Sequence, residues 1–224
     1  VGIGPAYIGV VVLYLASLAL TLGVGGNLRA SIQAASPWQE LKAGLAYVWH
    51  TPDVFALMLL AFWVNLTAYP ISMGLLPYVA KEIYAIDQNG LGHMVAGYAC
   101  GALIGSIAMI LLGGSRRPGR FMVLSIVVWY ILMVFFAMQE TKWPGVIILL
   151  IIGIAQSTAM ISMSVMLLRL TPEEFRGRIM GVRMLVVYGL PVGLLAAGAL
   201  VNWFSFTTAV GIYALLGIFC TGCI

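Results

Sequence analysis

Residues 184–224 read MLVVYGLPVGLLAAGALVNWFSFTTAVGIYALLGIFCTGCI, 41 consecutive positions without Asp, Glu, Lys or Arg. A helix rises about 1.5 Å per residue, so about 20 residues cross the roughly 30 Å hydrocarbon layer of a bilayer. The run is long enough to cross twice, and Val201-Asn202-Trp203 is its natural break. Outward from it, Val1–Leu28, Val54–Ala80, Gln88–Ser115, Phe121–Gln139 and Trp143–Leu168 are also uncharged and hold one span each. The expected spans are 6–27, 54–79, 91–113, 120–139, 144–168, 179–200 and 203–222. Lipid admits only helices or closed barrels, because backbone polar groups must be satisfied within the segment or the sheet. Barrel strands alternate polar and apolar residues, whereas these runs are apolar all round. The fold class is an all-α polytopic membrane protein with seven transmembrane helices.

Composition points the same way. Hydrophobic types make up 62% of the 224 residues, charged types 8%, and the mean hydropathy is +1.07. Soluble domains carry about 25% charged residues, so a soluble fold, a coiled coil, a disordered chain and a disulfide scaffold are all excluded. The net charge of +4 reflects topology rather than nucleic-acid binding. Alternating the loops puts Arg29, Lys42, Arg116, Arg117, Arg120, Arg169, Arg176, Arg178 and Arg183 on one side, and only Lys81 and Lys142 on the other. Basic loops stay cytoplasmic. The expected setting is a bacterial cytoplasmic (inner) membrane, with the N-terminus of this segment outside and the C-terminus inside.

Three regions follow: a first transmembrane helix at 1–28, a cytoplasmic linker at 29–53, and a six-helix bundle at 54–224. In the linker, Ser36 and Pro37 suit an N-cap and a first helical position. Leu41, Leu45 and Val48 recur at helical spacing beside Trp38 and Trp49, with Glu40, Lys42 and His50 on the wet side. That pattern predicts a short amphipathic helix on the lipid interface.

Candidate functional residues are sparse. Asn65 and Tyr69 precede Pro70 in the second span, so that helix either breaks to line a cavity or kinks and packs, with Asn65 bonded to a neighbour. Gln156 is the expected cavity-facing member of a polar stretch whose serines are back-bonded or packed. Arg116, Arg117, Arg120, Arg176 and Arg178 are gate or lipid-contact candidates, and such clusters set topology more often than chemistry. Arg183 falls with them. Gly97, Gly101 and Gly105 are spaced four apart and form a packing face, expected to meet the narrow stretch of Gly189, Pro191, Gly193 and Gly198 or another span. His93 reads as interfacial, and Cys220-Thr221-Gly222-Cys223 has thiol-pair spacing without a supporting motif. No phosphate loop, metalloprotease motif or dinucleotide fingerprint occurs, no Lys sits mid-span for a retinal Schiff base, and no cofactor or metal is expected.

Several passages resemble the major facilitator superfamily. They are Glu40-Leu41-Lys42-Ala43-Gly44-Leu45-Ala46-Tyr47-Val48 with Thr51-Pro52, Leu76-Pro77-Tyr78 with Gly90-Leu91-Gly92, and Thr171-Pro172 with Arg176-Gly177-Arg178-Ile179-Met180-Gly181. The chain is similar to helices 6–12 of that fold, closest to the branch of enterobactin and macrolide exporters. The superfamily's Asp-Arg-x-Gly-Arg gate motif is matched by Arg116-Arg117-Pro118-Gly119-Arg120, where Arg116 stands in place of Asp. The resemblance implies export of a moderately hydrophobic small molecule, with membrane lipids and an N-terminal transporter half as partners. The alternative is a non-transporting, transporter-like subunit of a membrane complex.

Overall fold

The uncharged runs fold as helices, and the computed structural model describes residues 3–23, 36–111 and 117–224. Arg29 and Arg116 lie outside the described residues. The chain divides into two units, Val1–Pro37 and Trp38–Ile224. The first holds α1 (Ile3–Gly23), an apolar helix in which Thr21 Oγ1 donates to Ser17 O at 2.8 Å.

The second unit follows α2 (Pro37–His50) with α3 (Pro52–Tyr69). A π-helical turn at Pro70–Gly74, the single turn α4 (Leu76–Tyr78) and a second π-helical turn at Val79–Ile83 continue α3. Then come α5 (Gln88–Leu111), α6 (Pro118–Ala137), α7 (Lys142–Leu170), α8 (Glu173–Val186), α9 (Gly189–Trp203) and α10 (Phe206–Cys223). Six segments among the described residues are long and apolar enough to cross a membrane: Pro52–Ile83, Gln88–Leu111, Pro118–Ala137, Lys142–Leu170, Glu173–Trp203 and Phe206–Cys223. The apolar stretch Tyr7–Gly23 is shorter. The all-helical reading holds, with no strand among the described residues.

Local chemistry sets the helix limits. Pro stands in the first turn of α3 and α6, where its missing N–H costs nothing. Asp87 Oδ1 accepts from the Gly90 N–H at 2.9 Å at the start of α5. That main-chain hydrogen bond holds the Asp87 carboxyl below the usual carboxylate range. Ser205 caps α10 by accepting from the Thr208 N–H at 3.2 Å. Pro70 has no N–H, and the ladder accommodates it by widening, with the Leu75 N–H reaching Pro70 O at 2.8 Å.

Apolar side chains gain little by leaving lipid for another helix, so association depends on close van der Waals contact and hydrogen bonds. The glycine face of α5 supplies the contact, and its partner is α7. A Cβ on Gly97 would lie 2.9 Å from Val146 Cγ1, and one on Gly105 2.8 Å from the Ile154 carbonyl oxygen. At Gly101 it would run into the backbone of Leu150. Gly153 of α7 reciprocates, since a Cβ there would overlap the Tyr98 carbonyl.

Of the two partners expected for this face, another span, α7, is the one found, and the Gly189–Gly198 stretch is not. Gly189 and Gly193 of α9 pack on α3 instead. A Cβ on Gly189 would lie 3.2 Å from the Phe62 ring, and one on Gly193 would overlap the Leu66 carbonyl and lie 2.8 Å from Pro70 Cγ. Gly198 has open space where a Cβ would stand. Hydrogen bonds add to these contacts. Thr67 Oγ1 and Tyr130 OH are 2.7 Å apart, Trp129 Nε1 donates to Ser72 Oγ at 2.9 Å, and Tyr213 OH donates to Gly193 O at 2.7 Å.

A methyl group alone distinguishes the two kinds of glycine. Gly101→Ala should lower the thermal midpoint of the detergent-solubilised protein, because overpacking costs about 1–3 kcal/mol. Gly198→Ala should leave it unchanged or raise it, since Gly costs about 1 kcal/mol against Ala within a helix. Equal midpoints for the two variants would contradict the α5–α7 contact.

Candidate functional site

Helices α3, α7 and α8 border a cavity of about 340 Å³. Asn65 and Tyr69, one helical turn apart on α3, lie on its wall. Opposite them stand Met160 and Met163 of α7 and Met180, Arg183 and Met184 of α8. Gln156 is not on the wall. Its Nε2 donates to Tyr69 OH at 2.7 Å, and thereby fixes the hydroxyl of a residue that is. The Tyr69 ring meets Trp129 edge to face, with centroids 5.2 Å apart.

Asn65 Nδ2 donates to Ala61 O of its own helix at 2.9 Å. One N–H and the amide oxygen remain for other partners. Thr67 points away from the cavity, toward Tyr130 in the buried interior. The serines of α7 divide between roles. Ser164 donates back to Met160 O at 2.7 Å, while Ser162 is buried in the packing.

Arg183 brings a charge to the wall. Its Nη1 donates to Ser164 Oγ at 2.8 Å, which links α8 to α7. Sequence reading groups this arginine with the topological cluster, yet it lies ten residues beyond Glu173, about 15 Å along the helix. The available signal was its place between Met180 and Met184, in a stretch where both flanks continue as an apolar face. Just beyond it the span hitches. Val187 and Tyr188 separate α8 from α9, and the N–H groups of Val187, Tyr188 and Leu190 each bond the carbonyl three residues back. Val186 and Val187 also line the cavity.

The other arginine candidates do not form one site. Both Nε and Nη2 of Arg178 meet the Glu40 carboxylate, the latter at 2.9 Å from Oε1. Arg178 also lies over the Phe175 ring, which stacks on Tyr47 at 4.7 Å. A Cβ on Gly44 would lie 3.0 Å from Val182 Cγ2, so α2 approaches α8 closely there. The packed face of α2 is thus Glu40, Gly44, Tyr47 and Val48, while Leu45 is 44% exposed. Glu40 is taken from the expected wet side by its arginine partner. Arg176 pairs with Glu173 of its own helix at 3.3 Å, and Arg117 and Arg120 are exposed at the start of α6.

A second cavity, of about 380 Å³, lies where α3 and α6 begin and α7 and α10 end, and includes Asp53, Met166 and Thr221. No sequence-selected site residue lines it. His93 Nδ1 lies 2.6 Å from Asn89 O and 3.4 Å from Lys142 Nζ, Cys220 and Cys223 are free thiols, and no metal-binding cluster occurs among the described residues.

This arrangement, a small polar cluster on the wall of a cavity between membrane-spanning helices, is suited to holding a solute rather than transforming one. A family model described as Major Facilitator Superfamily matches residues 1–191. The chain belongs to the major facilitator superfamily. Members of this family are transporters, and membrane transport is the general function it shares with them. No curated protein and no solved structure matches the chain significantly.

The ion pair between α2 and α8 predicts a charge-reversal result. Glu40→Arg or Arg178→Glu alone should loosen α2 and speed tryptic cleavage after Lys42, and the double exchange should slow it again. No recovery in the double variant would show that apolar contacts alone hold α2.

Proposed function

We propose that this superfamily member exports a moderately hydrophobic small molecule, and that Asn65 and Tyr69, the latter held by Gln156 from behind the wall, belong to its substrate path. The observation that carries the reading is the Gln156–Tyr69 hydrogen bond at the wall of the α3–α7–α8 cavity, beside Asn65. The methionine and valine lining suits an apolar guest, and the few fixed polar groups suit orientation of that guest. Outward direction follows the likeness, noted from sequence, of passages such as Thr171-Pro172 with residues 176–181 to the exporter branch. In this reading the six-span bundle forms one half of a longer parent transporter, and a second bundle faces the cavity and completes the path.

The same proposal sets the chain in a bacterial inner membrane, with the ends of α6, α7 and α8 that carry Arg117, Arg169 and Arg176 toward the cytoplasm. The bias of basic residues supports this orientation. Single cysteines in a background lacking Cys100, Cys220 and Cys223 provide the measurement. A cysteine at 117 should resist an impermeant external reagent, while one at 142 should react. Efficient labelling at 117 in sealed cells would overturn the orientation.

The path itself is tested in the full parent transporter by the double substitution Asn65→Leu with Gln156→Leu. Export should fall severalfold while insertion and abundance persist, because polar hydrogen bonds between membrane helices average only about 0.6 kcal/mol. Unchanged export would demote both residues to packing.

A further inference from the structure

We infer that the cavity between α3, α7 and α8 takes an amphipathic organic anion, with its head on Arg183 and its apolar body among the methionines. The inference rests on the reading of this cavity as a transport site, and adds the chemical class of the solute. Arg183 is the charged residue of the wall, and no carboxylate lines it among the described residues. Its neighbour is the Ser164 hydroxyl, which accepts one of the five guanidinium N–H groups at 2.8 Å. A hydroxyl dipole does not neutralise a cation.

Arg183 is half-buried, and a charge drawn partly out of water within a membrane helix is costly unless a counter-charge or water offsets it, which is why such arginines mark functional paths. An anionic guest supplies the missing charge and meets the planar fork with paired hydrogen bonds. A cationic guest would face uncompensated repulsion. Tyr69 adds a second donor. Its oxygen accepts from Gln156 Nε2, so its own O–H remains to be given to a guest.

The apolar part of the class comes from Met160, Met163, Met180 and Met184. Unbranched thioethers adapt to irregular hydrocarbon shapes and tolerate variety. A volume of about 340 Å³ is at the small end of ligand pockets, which suits a short-chain or single-ring body. A carboxylate, sulfonate or phosphate head meets the same chemistry, whether it belongs to a free solute or to a lipid headgroup.

The test uses the full chain in phosphatidylcholine nanodiscs and three probes of equal chain length: octanesulfonate, octanol and octyltrimethylammonium. Thermal midpoints should rise most with the sulfonate, less with octanol and not with the ammonium. Arg183→Gln should reduce the sulfonate shift to that of octanol, and Arg183→Lys should keep part of it. An ammonium shift equal to the sulfonate shift, or a sulfonate advantage that survives Arg183→Gln, would overturn the anion inference while leaving the transport-site reading intact. If Arg183→Gln does not fold, the order of the three probes on the unsubstituted protein decides alone. Absence of any shift with all three probes would overturn both readings. Repetition with phosphatidylglycerol in the nanodisc separates the sources. Loss of the sulfonate shift there assigns the site to a lipid headgroup, and its persistence to a free solute, either outcome supporting the anion.

Discussion

Backbone approach through glycine is the constraint on which this bundle depends. Water drives apolar helices together in soluble proteins, but lipid is as apolar as a leucine side chain and provides little such drive. Contact energy then has to come from dispersion, which falls off within fractions of an ångström. The α5–α7 pair meets this requirement from both sides, with Gly97, Gly101 and Gly105 on one helix and Gly153 on the other. The α3–α9 pair meets it from one side, with Gly189 and Gly193 against Phe62, Leu66 and Pro70. Bulk elsewhere is arranged around these seams. Gly217 of α10 leaves room for the Tyr130 ring, whose hydroxyl reaches Thr67.

Polar side chains then do two separable jobs. Most are consumed by structure: Thr67 with Tyr130, Ser72 with Trp129, Tyr213 with the Gly193 carbonyl. Each joins two helices in surroundings where an unpaired group would be costly. Asn65, Tyr69 and Arg183 instead border the space that α3, α7 and α8 leave, and there the bonding stops short of saturation. Arg183 has a hydroxyl instead of a carboxylate, and Asn65 bonds only its own helix. Capacity left over at a cavity, rather than polarity as such, separates a site from a tie.

Much of the fold was legible because lipid imposes a length rule. A charge-free run of about 20 residues has few fates, so the spans from Pro52 to Cys223 could be read with limits off by a few residues. The choice of partner was not. A glycine face says that a backbone will approach and leaves open which one, as α7 and the 189–198 stretch offered comparable narrow surfaces. Glu40 shows the same limit. Helical periodicity placed it on the wet side, whereas its arginine lies 138 positions away and fixes which face of α2 is packed. Asn65 and Gln156 could be nominated from sequence because lone amides are rare in apolar runs. Arg183 was masked as one of nine basic residues that topology already explained, and only its place between Met180 and Met184 set it apart.

Helix α3 shows how one element reconciles these demands. It is predominantly apolar, as a helix packed among others should be, and its few polar residues divide between the cavity and a neighbouring helix. Asn65 and Tyr69 border the cavity, Thr67 turns to α6, and the Leu66 carbonyl lies against Gly193 of α9. Pro70 connects the last two features, since it denies Leu66 its usual i+4 donor at the level where α9 has no side chain to intrude. The fifth membrane-spanning segment is thus held to α3 closely at Gly189 and Gly193, beyond the hitch at Val187–Tyr188. Before the hitch, the same segment carries Arg183 beside open space. One span is thus clamped on one side of a turn tightened by bonds three residues back and lines a cavity on the other, so packing and site are divided along a single segment.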